Sequence, residues 1–173
     1  MGQSLSLALA LTLCAGFALA ATPDVGTHRP RLVVLDVELT GDLGGPEFVA
    51  QHDARMRMAS ARLRESISRT GLYSVVDPAP AQDLIHQLES QYRYLHDCNG
   101  CDVDIGRQLE ADQVLVAWVN RVSGLILTLN YEIHDVATGQ TIASKTFGFR
   151  GDNDLAWTRA IDYLVRDRQQ SGG

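Results

Sequence analysis

The chain has 173 residues, of which 45% are hydrophobic and 21% charged, with a formal net charge of −6. That length supports one domain with a buried core and leaves no room for a second of comparable size, and the composition excludes a disordered chain. The acidic balance excludes broad nucleic-acid binding, which needs a basic surface.

Residues 1–20 read as an export signal. Leu5 to Leu13 is almost purely apolar, and Ala18-Leu19-Ala20 has the small-x-small form of a cleavage site before Ala21. The expected product is periplasmic, has no transmembrane segment after cleavage and retains two cysteines, Cys98 and Cys101. Residues 21–30, with Pro23, Gly26 and Pro30, suit a tether.

A domain over 31–168 follows. Leu32 to Leu39 is a continuous apolar run that alternates near its end, which predicts one buried strand with Asp36 and Glu38 on one face. Thr40 to Pro46 is a glycine-rich connection without the Lys-Ser/Thr ending of a phosphate loop. Glu47 to Thr70 predicts a long helix with Val49, Met56, Leu63 and Ile67 on one face and Gly71 as its stop. Arg55, Arg62 and Arg69 recur along that helix at intervals of seven. They form either a solvated border whose alkyl stems cover the core edge or a basic ridge for an acidic partner or anionic lipid.

Leu72 to Asp77 predicts a short strand, and Pro78 and Pro80 end it and favour a helix over Gln82 to Tyr94. His86 lies there without a matching second ligand. After the cysteine loop come a short helix over Val103 to Ala111 and a strand from Asp112 to Val119. Leu125 to Val136 and Thr141 to Phe149 then pair across a turn at Asp135 to Gln140, giving a three-strand meander. Alternation places Leu127, Leu129, Tyr131 and Ile133 in the core, and Ile126, Thr128, Asn130, Glu132 and His134 on the other face. Asp152, Asn153 and Asp154 are candidate caps for a last helix burying Leu155, Trp157, Ile161, Leu164 and Val165. Residues 169–173 read as a disordered tail. The expected fold class is α/β (α+β mixed), a mixed sheet of about five strands with packed helices in the order β-α-β-α-α-β-β-β-α.

Three readings stand for Cys98 and Cys101. Export favours a disulfide that pins the loop. A reactive pair is the second, since Cys101 lies near a helix start that would stabilise a thiolate, although Asp97, Asp102 and Asp104 oppose one. The third is a metal site of His96, Cys98 and Cys101 with nearby aspartates, which lacks a second Cys or His pair. No haem attachment is expected because Asp102 follows Cys101, and no serine is framed as a nucleophile elbow. No cofactor is expected.

The element order, with Val33-Val34-Leu35-Asp36-Val37, Tyr73-Ser74-Val75-Val76-Asp77, Leu109-Glu110-Ala111-Asp112-Gln113-Val114-Leu115-Val116 and Ile133-His134-Asp135-Val136-Ala137-Thr138-Gly139-Gln140, resembles the amino-terminal domain of TolB and the related CsgG and LpoB envelope modules. The resemblance implies a fold, and a non-enzymatic protein that binds a periplasmic or envelope partner, assembles or regulates. The loop Leu95 to Cys101 lies outside that shared pattern and resembles a narrower family of exported bacterial proteins of unknown function. The cysteine pair supports an alternative, a periplasmic thiol-disulfide or metal-handling accessory protein, and that likeness implies an association with a quinoprotein dehydrogenase system.

Overall fold

The computed structural model describes residues 29–172; the export signal and most of the tether lie outside the described residues. The elements are β1 (Arg31–Val34), β2 (Glu38–Gly41), α1 (Val49–Thr70) after a 3-10 turn, β3 (Ser74–Val76), α2 (Gln82–Gln91), α3 (Cys101–Gln108), β4 (Gln113–Arg121), β5 (Ile126–Asp135), β6 (Thr141–Arg150) and α4 (Asp154–Ser171). All six strands join one mixed sheet in the order β3-β1-β4-β5-β6, with β2 also paired to β4. β1 runs parallel to β3 and β4, β2 runs parallel to β4, and β4, β5 and β6 form the antiparallel meander.

Two cores lie on opposite faces of this sheet. On one face, Ala59, Leu63 and Ile67 of α1 and Trp157, Ile161 and Leu164 of α4 pack against Leu32, Val34, Leu115, Leu127, Leu129 and Ile133. On the other, Ile85 of α2 and Ile105 of α3 pack against Val33, Leu35, Val114 and Val116. The central strands are therefore apolar on both sides, which explains the unbroken run in the sequence. The meander follows its alternation, with Leu127, Leu129, Tyr131 and Ile133 all buried.

The expected single strand over Leu32 to Leu39 is two strands. Val34 lies opposite Leu115, whereas Glu38 lies opposite Trp118, so one chain advances four residues while its partner advances three. The extra residue reverses the alternation, and Val37 and Leu39 join Leu32 and Val34 in the same core. Asp36 and Glu38 consequently do not share one strand face. Asp36 is exposed and accepts from Arg64 Nη2 at 2.8 Å, and Glu38 turns towards the loop after α2. The Val37 N–H at this break donates to Ser60 Oγ of α1 at 2.8 Å, and Ser60 Oγ donates to the Met56 carbonyl. A buried backbone donor is thereby satisfied away from the ladder.

Helix α1 ends as expected at Gly71, whose φ of 71° places it in the left-handed region. Its face differs from expectation in the first two turns: Val49 is 55% exposed, and the charged Arg55 is buried. Arg55 reaches into a carboxylate at the opposite end of the chain. Its Nη1 donates to Asp152 Oδ1 at 2.6 Å, Arg121 Nε donates to Asp152 Oδ2 at 2.8 Å, and Trp157 Nε1 donates to Asp152 Oδ1 at 3.1 Å. Asp152 is thus a junction between α1, β4 and α4, while Asn153 caps α4 by accepting from the Ala156 N–H at 3.0 Å. Leu155, expected in the core, is 58% exposed. α4 continues through Ser171, past the residue where the tail was expected to begin.

Burial opposes ionisation of Asp152, but the bonds from Arg121 and Trp157 and the charge of Arg55 hold its carboxyl below the usual range. Asp167 behaves alike: burial opposes its charge, and Lys145 and the Tyr131 hydroxyl outweigh that cost. Groups with depressed folded pKa values contribute stability above the unfolded value, about 3.9 for aspartate, and lose it as pH falls through the folded value. Urea unfolding should therefore show stability steady down to about pH 5 and falling below, with a shallower fall in Asp152→Asn. At neutral pH, Asp152→Ala should cost about 3–5 kcal/mol, because it leaves the buried Arg55 with only the exposed Asp154 carboxylate and removes the near partner of Arg121 as well.

Candidate functional site

The loop between α2 and α3 is fastened to the sheet by one carboxylate. Glu38 Oε1 accepts the Leu95 N–H at 2.6 Å, and Glu38 Oε2 accepts the His96 N–H at 3.1 Å and lies 2.5 Å from His96 Nδ1. Glu38 stands directly opposite Trp118 in the sheet, and the His96 ring stacks on that indole with centroids 4.3 Å apart and planes 10° apart. The Tyr94 ring centroid lies 5.4 Å from that of His96, with the planes tilted by 36°.

Beyond His96 the chain turns at Asn99-Gly100, where Gly100 takes φ of 94°, and Cys101 opens α3. Cys98 and Cys101 are joined by a disulfide with Cα atoms 5.6 Å apart, and both residues are buried against Ile105 and Leu109. α3 sits tightly on the end of β5: a Cβ at Gly106 would lie 2.6 Å from Val136 Cγ2, so glycine is required for that approach. The first turn of α3 directs the buried Asp102 to His134 Nδ1 of β5, and His134 Nε2 lies 3.1 Å from Glu132 Oε2.

These groups border a cleft of about 660 Å³, lined by His96, Asp97, Asp102, Asp104, Glu132 and His134 together with Arg107 and the disulfide loop. Arg107 Nη1 donates to Asp104 at 2.7 Å, so the one arginine of this lining is spent on a carboxylate within it. The wall is acidic, and both histidines are engaged by carboxylates. Chemically it is a fixed polar surface suited to a basic or hydrogen-bond-donating group.

The expected site residues fall in different places. His96 is turned to Glu38 and Trp118, and Cys98 and Cys101 are bonded to each other, so the three do not meet as a ligand set. Among the described residues no group of three or more His, Cys, Asp or Glu side chains is placed to hold a metal ion. Arg55 is buried on Asp152, Arg62 forms a two-pronged pair with Asp162 at 2.7 and 2.8 Å, and Arg69 pairs with Glu65. The three therefore form no continuous exposed ridge. Asp102 is one of the aspartates that flank the cysteine pair in sequence, whereas Glu38, Trp118, Glu132 and His134 join the site only through strands distant in sequence; the polar alternation of Glu132 and His134 is their only local signal.

Residues 30–169 match the family described as Protein of unknown function (DUF2380). The chain belongs to that family. No curated protein matches the sequence. Among solved structures, the DUF2380 chain is similar to the LpoB C-terminal domain from Escherichia coli, with a TM-score of 0.52 and 19% identity over 72% of this chain and 85% of that one. It is also similar to the PelC dodecamer from Paraburkholderia phytofirmans, with a TM-score of 0.51 and 15% identity over 87% and 94% of the two chains. TolB from Acinetobacter baumannii aligns more loosely, with a TM-score of 0.45 and 9% identity over 83% of this chain and 28% of TolB. The likeness to LpoB and PelC shows a shared fold. Among the described residues no helix is long and apolar enough to cross a membrane.

Two substitutions separate the parts of the clasp. Cys98→Ser with Cys101→Ser should lower the unfolding free energy by less than the ~3 kcal/mol expected for a 15-residue ring, since this ring is far smaller. Glu38→Ala should cost about 1–3 kcal/mol by stranding the part-buried amides of Leu95 and His96. Urea midpoints at unchanged denaturant slope read both.

Proposed function

We propose that this protein is a non-enzymatic, periplasmic protein-binding or assembly module of the cell envelope. The observation that carries this reading is the clasped cleft, whose chemistry-bearing groups are bonded to one another. Glu38 holds a loop, His96 is stacked, the cysteines are closed, and His134 lies between two carboxylates. Such an arrangement favours a preformed recognition surface, because its side chains lose little freedom when a partner arrives. The fold likeness to LpoB, and to PelC, which forms a dodecamer, supports an assembly role.

The acidic lining suits a basic or donor-rich partner segment, and a partner with that chemistry should bind faster at low ionic strength. The test is affinity capture from the native periplasm with crosslinking, using the natural chain and the variant in which both cysteines are serine. The natural chain should retain a specific partner at the cleft, and the variant should retain several-fold less. Recovery of no partner by either protein, with or without crosslinking, would remove the reading's main support.

A further inference from the structure

The sheet ends in a long open edge. β6 has ten residues and, among the described residues, pairs with no strand other than β5. A strand in that position presents unpaired backbone donors and acceptors, which proteins ordinarily guard with charge, proline or a bulge. The lysine on this strand, Lys145, is bonded to Asp167, no proline interrupts the strand from Thr141 to Arg150, and its bulge at Ile142 lies near its start. From Ala143 to Arg150 the edge is therefore open to another strand.

Beside it runs α4, and between the two lies a groove of about 410 Å³. Phe147 and Phe149 line the β6 side, with Phe147 meeting Tyr163 edge-on at 4.9 Å. Leu155 and Tyr163 on the helix side are 58% and 47% exposed, so the groove has apolar surface not covered within the chain. Its charge is one-sided. Arg150, Arg159 and Arg166 line it, and all three are exposed. Arg55, Arg62, Arg64, Arg69, Arg107 and Arg121 each have a carboxylate partner, whereas among the described residues these three have none within ion-pair distance. Arg31 and Arg168 also lack one but bond to carbonyls and to Tyr73, and Arg57 and Arg93 share their groove with Asp36, Glu38, Asp53 and Glu89, while the lining beside β6 holds no carboxylate. Arg166 instead lies over the Tyr163 ring at 6.0 Å. In a chain of net charge −6, an uncompensated arginine cluster beside an open strand edge is a specific feature.

We propose that the groove between β6 and α4 receives an extended acidic segment of a partner protein, added as a strand along β6. Main-chain hydrogen bonds to β6 would supply affinity, alternate side chains would enter between the aromatic rings, and carboxylates would meet Arg150, Arg159 and Arg166. This rests on the assembly-module reading and adds the place and chemistry of one contact. A second copy of the same chain fits less well, because docking two identical arginine-lined edges would bring like charges together.

The test uses the exported full-length product and a fluorescent peptide matching the ten residues of β6 in length, alternating glutamate with valine, beside one alternating lysine with valine. Fluorescence anisotropy should show binding of the acidic peptide only. Arg159→Ser with Arg166→Ser, exposed positions whose loss should leave the circular dichroism spectrum unchanged, should weaken it on the order of tenfold. Amide exchange should slow in β6 on binding and stay unchanged in β5. Failure of the acidic peptide to bind, equal binding of the lysine peptide, indifference to the arginine changes, or unaltered β6 exchange would overturn the proposal. So would concentration-dependent self-association, read by sedimentation, that the acidic peptide does not compete. Partner capture that persists in the arginine variant would leave the module reading standing while this one falls.

Discussion

A one-residue slip between Val34 and Glu38 decides what this protein presents to its surroundings. An unbroken strand would have carried Glu38 into the same core as Leu32 and Val34. The extra residue reverses the side chains, so Val37 and Leu39 enter that core and Glu38 leaves it. Ser60 makes the slip tolerable by accepting the Val37 N–H. From that position the Glu38 carboxylate collects two backbone amides and one imidazole, and the loop carrying the disulfide takes its place over Trp118. A change in backbone phase on one strand is thus converted into the shape of a cleft on the opposite side from α1.

The second constraint is the disposal of charge. An arginine-rich chain with an acidic total could have displayed a mixed surface, but several guanidinium groups are drawn inward. Arg55 and Arg121 converge on Asp152 and join the longest helix, the central strand and the last helix. A buried pair is weak evidence of net stabilisation, since desolvation offsets much of the attraction, yet its rupture is costly because one charge is left behind. The junction therefore acts chiefly to fix the position of α4 against the sheet. With those cations consumed, the arginines that remain beside β6 stand out as a separate feature.

Much of the architecture was legible in the chain. The meander was plain because Leu127, Leu129, Tyr131 and Ile133 alternate with polar neighbours, and α1 was plain because its pattern runs to Gly71. Two apolar residues were misplaced, Val49 and Leu155, each at the start of a helix where the periodic face has not yet reached the sheet. The slip could not be read, because a run such as Leu32 to Leu39 is apolar on both faces and alternation carries no information there. The same applies to the junction at Asp152: three successive polar residues look like caps, and only the fold shows that one meets Arg55 from far earlier in the chain. Of the cleft, the cysteine turn and His96 were visible, while Glu38, Asp102 and His134 became partners only through the sheet.

The acidic cleft and the arginine-lined groove share no lining residue and carry opposite charge, an arrangement suited to holding two segments at once. That view depends on the cleft being formed before any partner arrives. Residue-resolved amide exchange on the partner-free protein measures this directly. The Leu95 and His96 amides, bonded to Glu38, should exchange far more slowly than amides of an open loop and should lose that protection in Ser60→Ala as well as in Glu38→Ala. Exchange of both amides at open-loop rates in the natural protein would contradict a preformed clasp.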